Sequence, residues 1–171
     1  MTKKYSSIAI ANEFIDRAIR DHINDLTPLK LQKLVYFAHG WYLAFTDEPL
    51  LDEHIQAWKY GPVIENIYHK FKNFSNGNVN EKAAEFIFVA EHFENVLPQA
   101  DDEVVQELID SVWKGYSNFT PVQLSKITHQ EGTPWQKVVE NFDGSIPKCT
   151  SIPDELIRLF FQAKLKERAN G

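Results

Sequence analysis

The sequence predicts a predominantly α-helical fold, one compact domain over residues 1–171 around a buried central helix, with at most a small β element. Three observations predict it. The run from Leu29 to Phe45 is almost entirely apolar, and a helix apolar on all sides is a buried one. A Thr-Pro helix start occurs at Thr27-Pro28 and recurs at Thr120-Pro121 and Thr133-Pro134. Apolar residues also recur at helical spacing in two longer stretches, around residues 104–116 and 156–165.

Ser7 suits the cap of a first helix whose stripe is Phe14, Ile15, Ala18, Ile19 and Ile23. Thr27 and Pro28 then open the central helix, with Leu31, Leu34, Val35, Ala38, Trp41, Tyr42 and Phe45 on one face and Tyr36, Phe37 and Leu43 spreading apolar surface around it. The period changes at Ile55, Ala57 and Trp58, which suit a short extended segment. Gly61-Pro62 reads as a sharp corner into another helix, with Val63, Ile64, Ile67, Tyr68 and Phe71 as its stripe.

Residues 73–81, rich in Asn, Ser and Gly, read as an exposed loop. Around residues 84–97 the pattern fits both periods, and a short strand near Phe86 to Val89 is preferred. Asp101, Asp102 and Glu103 place negative charge where a helix dipole favours it, ahead of a face made by Val104, Val105, Leu108, Ile109, Val112, Trp113 and Tyr116. Short helices follow each later Thr-Pro pair, and Pro153 opens a last helix with Leu156, Ile157, Phe160, Phe161 and Leu165 facing inward.

Composition narrows the function. A formal net charge of -6 repels phosphate backbones, so direct nucleic-acid binding is not expected. The single cysteine, Cys149, forms no internal disulfide and fits a reducing cytoplasm. No stretch reaches membrane-spanning length and the start of the chain lacks an export-signal core, so a cytoplasmic location without membrane association is expected.

KLQKLVYFAHGWYLA, followed by LLDEHIQAWKYGPVIENIYHKF and then QLSKITHQEGTPW, resembles the Panacea domain, the family of SocA-like and GepA-like phage-associated proteins. The match covers most of the chain in the family's order. The resemblance implies an antitoxin of a toxin-antitoxin system, neutralising by direct contact a cognate toxin encoded next to it. It also carries an alternative, an adaptor that delivers the toxin to a AAA+ protease. Leu31, Leu34, Tyr36, Trp58, Val63, His129 and Trp135 are the family-motif positions, read as structural.

Catalytic chemistry finds little support in the residues themselves. The six histidines are spread one per segment, without an HExxH, a Cys-x-x-Cys, a nucleophile elbow or a phosphate loop. No metal, no cofactor and no enzymatic activity are expected; an enzyme using His129 or His69 with a nearby carboxylate is the reading from another class. His39 reads as a core histidine and His129 as a helix-terminating clamp. The candidate partner-binding residues are Lys30, Lys33, Lys59, Tyr60, Gly61 and Pro62, with the loop from Asn73 to Asn80. Lys30 and Lys33 oppose the dipole at the start of their helix, so they either pair with an acid such as Asp25 or face a partner.

Overall fold

The computed structural model describes residues 2–171. In chain order the elements are α1 (Ser7–Arg20), α2 (Pro28–Thr46), β1 (Ile55–Trp58), β2 (Gly61–Val63), α3 (Glu65–Phe71), β3 (Glu85–Val89), β4 (His92–Val96), α4 (Glu103–Tyr116), α5 (Pro121–His129), α6 (Pro134–Val139), β5 (Ser151–Ile152) and α7 (Asp154–Asn170). With 52% helix and 12% strand, and two sheets among the described residues, the fold is a helix-rich mixture of α and β. This corrects the expectation of a mainly α fold with at most a small β element.

The correction has two physical sources. Gly61-Pro62 continues the chain as β2, antiparallel to β1 with Ala57 opposite Pro62 and Trp58 opposite Gly61. β2 lies at the edge of the sheet β2-β1-β5, where a proline's missing N–H costs no ladder bond, and the helix begins only at Glu65. Residues 85–96 form a complete antiparallel hairpin, β3–β4, rather than one short strand. Its two turn residues, Ala90 and Glu91, both take positive φ, as a tight hairpin turn requires.

The helices start where their chemistry demands. Thr27, Thr120 and Thr133 each accept the backbone N–H three residues on, and each precedes a proline at the first helical position. Asp102 caps α4 by accepting from Val104 and Val105. The cap of α1 is Ser6, one residue before the expected Ser7.

α2 runs through the centre, packed by α1, α4, α5, α7 and the three-stranded sheet, and every residue from Lys30 to Ala44 is buried. Phe14, Leu31, Leu34, Val35, Ile64, Ile109, Leu124, Ile157 and Phe161 fill the space around it. Four residues expected inward are exposed, Ile19, Phe45, Tyr68 and Val104, and of these Phe45 and Val104 line a groove of about 520 Å³ with Trp41, Leu108 and Tyr116. His39, buried in α2, accepts the Leu51 N–H at Nδ1 (3.4 Å), which leaves Nε2–H to donate to Asp154 at 2.9 Å.

Candidate functional site

The β1–β2 hairpin turns at Lys59 and Tyr60, and α2, α5 and α6 converge on its main chain. Starting from the strand, the Trp58 carbonyl accepts the indole N–H of Trp135 at 2.7 Å. His129 Nε2 lies 3.1 Å from the Lys59 carbonyl, and the Ser125 hydroxyl donates to the Tyr60 carbonyl at 2.9 Å. Lys33 Nζ donates to the Pro62 carbonyl at 2.9 Å. Gln32 then holds Ile64 from both sides, donating to its carbonyl and accepting its N–H, each at 2.9 Å. Five backbone carbonyls in seven residues are thus held by side chains from three helices. The bonds from Lys33 and Gln32 are buried, so leaving them unmade would strand desolvated groups, and the base of the tip is held in one shape.

His129 is the hinge of this clamp. Its Nδ1 lies 2.6 Å from the Ser125 carbonyl while Nε2 faces Lys59, and carbonyl oxygens only accept. Trp135 packs its indole 4.0 Å from the imidazole, so the ring is held on its face as well as its edges. His129 stands at the end of α5, and its ring spans the carbonyls of Ser125 and Lys59.

Gly61 makes the close approach possible. Its φ is +107°, and a Cβ there would sit 2.6 Å from Thr128 Oγ1 and 3.0 Å from Lys33 Nζ. Lys33 itself is completely buried with no carboxylate bonded to it, and burial pushes its ammonium down to about 7. Lys30 is equally buried, but Asp25 and the Ser117 carbonyl both accept from it at 2.7 Å. Neither lysine presents its charge to solvent. The pairing with Asp25 holds for Lys30, and a backbone carbonyl serves for Lys33.

What the clamp presents outward is Lys59 and Tyr60. Tyr60 is 62% exposed, and the Lys59 ammonium lies 5.4 Å from its ring centre. Beside them opens a cleft of about 850 Å³ lined by Trp58, Trp135, Phe142, Ile146, Lys148 and His69, among others. Trp58 packs on Tyr68 at 4.8 Å, and His69 lies 3.5 Å from Glu65 on the exposed face of α3. Leu31, Leu34, Tyr36 and Val63 are buried. In the loop after α3, Asn73 and Asn76 are exposed, whereas Val79 is buried and donates to the Leu26 carbonyl. Among the described residues no cluster of His, Cys, Asp or Glu could hold a metal ion, and no helix is long and apolar enough to cross a membrane.

Sequence reasoning missed Gln32 and Ser125 as members of the clamp. Their targets are backbone atoms far away in the chain, and polar residues at such spacing leave no local signature.

The residues that meet at this hairpin coincide with a family. The model for "Antitoxin SocA-like, Panacea domain" matches residues 31–136, from the first turns of α2 to just beyond Trp135. The chain is 32% identical over 153 residues to Antitoxin SocA of Caulobacter vibrioides (strain NA1000 / CB15N), across 88% of this chain and 79% of that protein. No solved structure matches the chain.

Proposed function

This chain belongs to the SocA-like antitoxin family with a Panacea domain, and we propose that it neutralises a cognate protein toxin by direct contact, using the Lys59–Tyr60 tip. The observation that carries the reading is the division of labour at the tip: the motif residues hold the main chain from within, and Lys59 and Tyr60 stand outside. An amphipathic tyrosine with a lysine over its ring, on a backbone that does not have to be ordered on binding, costs little entropy to dock. The partner is a toxin encoded next to this chain, and the setting is the cytoplasm.

Masking and delivery to a AAA+ protease both begin with this contact, and masking is the simpler use of one rigid surface. The test is co-expression with the product of the adjacent gene, reading growth rescue, co-purification and the amount of toxin in the cell. Rescue with a stable complex and undiminished toxin supports masking. Rescue with the toxin depleted moves the reading to delivery. Lys59→Glu and Tyr60→Ala, each shown to remain folded, should weaken the complex, and unaltered binding by both would take the contact away from this tip.

A further inference from the structure

The β3–β4 hairpin plays no part in the clamp, and its side chains are not accounted for by the core. The register places Phe88 directly opposite Phe93, and Phe86 lies two residues along the same strand, so all three rings share one face. They are 73% (Phe86), 65% (Phe88) and 72% (Phe93) exposed, with the Phe88 and Phe93 rings 5.0 Å apart. Soluble proteins rarely expose contiguous apolar surface of this kind without a use for it.

The base of the hairpin, by contrast, is firmly built. Asn12, buried in α1, donates to the carbonyls of Ala83 (2.9 Å) and Pro98 (3.0 Å) and accepts the Ala83 N–H at 2.8 Å, so one side chain closes both arms. Glu13 accepts the Ala100 N–H, and Ser6 donates to Glu85. An isolated two-stranded hairpin is marginal in water; this one is held at the root and projects an aromatic face.

Charge decides the occupant. Between Glu81 and Glu103 there are seven carboxylates and one lysine, a net of −6 that equals the formal charge of the whole chain. Glu85 and Glu94 lie on the face of the hairpin opposite the three rings and Glu91 lies at its turn, and that lysine, Lys82, is paired with Asp16. Bringing two copies together at this hairpin would place two such acidic segments side by side, which opposes self-association. The complementary surface is an apolar groove rimmed by Lys and Arg.

We propose that the Phe86–Phe88–Phe93 face seats in a basic-rimmed apolar groove on the toxin, as a contact separate from the Lys59–Tyr60 tip. The inference rests on the antitoxin reading and adds where, and against what chemistry, the partner is held.

The test uses the full chain and the purified product of the adjacent gene. A Phe86→Ser/Phe93→Ser variant should bind about tenfold more weakly or worse, with unchanged urea midpoint, because both rings already face solvent. A Glu91→Lys/Glu94→Lys variant should associate about tenfold more slowly at low salt and lose most of the salt dependence. A complex that forms equally well with the phenylalanine pair replaced overturns the hairpin proposal and leaves the antitoxin reading standing. Weakened binding with a salt-independent rate overturns the basic groove. A dimer of the unaltered chain that the phenylalanine variant dissolves assigns the face to a second copy instead. Absence of any complex with the unaltered chain overturns the antitoxin reading for that pair and this proposal with it.

Discussion

Lys33 reaches Pro62 through one hydrogen bond, Nζ to carbonyl oxygen at 2.9 Å, made where the lysine has no exposed surface. The bond joins the central helix to the hairpin tip. Its cost is desolvation of an amine, which an ammonium pays and a neutral amine largely escapes.

That cost is measurable through pH. The ordinary value for the lysine is 10.5 and burial lowers it to about 7 in the folded chain. Between those values the unfolded chain holds a proton that the folded chain has released, so stability rises with pH across the window. Below about 7 both states are protonated at this site and the penalty is present in full. Lys33→Met keeps the stem and removes the titration. The stability difference, wild type minus variant, should climb with a slope approaching about 1.4 kcal/mol per pH unit between the two values. Urea-unfolding midpoints from pH 6.5 to 9.5 check this, and parallel curves for the two proteins would show that Lys33 keeps its ordinary proton affinity.

Gly61→Ala should be costly at the same node. The substitution forces a side chain into φ +107° and puts its Cβ 2.6 Å from Thr128 Oγ1. Strain and overlap together should lower stability by about 2–4 kcal/mol. In a Thr128→Ala background the overlap with Oγ1 disappears while the backbone strain and the 3.0 Å approach to Lys33 Nζ do not, so the glycine substitution should cost about 1–2 kcal/mol there. Denaturant midpoints of the four proteins give the comparison. Equal costs in both backgrounds would mean that the backbone and the Lys33 approach, not Thr128, make up the obstacle.

How much of this was legible follows the range of the physics. Caps are local: Thr27, Thr120 and Thr133 each announce their helix through a side chain that bonds three residues ahead, and the Thr-Pro pattern locates all three starts. Turns are local too, but Ala90-Glu91 turns the β3–β4 hairpin without glycine or asparagine, so nothing marked the reversal or the second strand. Gly61-Pro62 carries two meanings, helix start and edge strand. The choice between them is made by distant groups, Lys33, Ser125 and His129 drawing the carbonyls of residues 59–62 into the clamp. The same distance hid the burial of Lys30, whose second acceptor is the carbonyl of Ser117.

Asn12→Ala should release the β3–β4 hairpin while sparing the clamp. The amide makes three bonds to residues 83 and 98 from a fully buried position, and truncation leaves those backbone groups unpaired. A loss of about 1–3 kcal/mol is expected. The sharper readout is local, since amide exchange over residues 85–96 should accelerate while exchange in β1 and β2 does not. A uniform acceleration across both hairpins would mean that Asn12 supports the core at large rather than the root of this one.

Gly40 and Phe161 provide the test of how α2 meets α7. A Cβ on Gly40 would overlap the Phe161 ring, which also packs edge-on against Tyr36, Phe37 and Trp41 at 5.9, 6.4 and 5.0 Å between centroids. The glycine in a buried helix costs helix propensity, about 1 kcal/mol against alanine, and the Phe161 ring occupies the space a side chain there would need. Gly40→Ala should therefore destabilise by about 1–3 kcal/mol despite its better helix propensity. Phe161→Leu removes ring atoms and leaves part of a cavity, costing about 1–3 kcal/mol by itself. The two changes should compensate, with the double variant more stable than the sum of the singles predicts by about 1 kcal/mol or more. A strictly additive cycle in urea unfolding would show that the helices yield instead of the ring, and that the close α2–α7 approach does not depend on having no side chain at position 40.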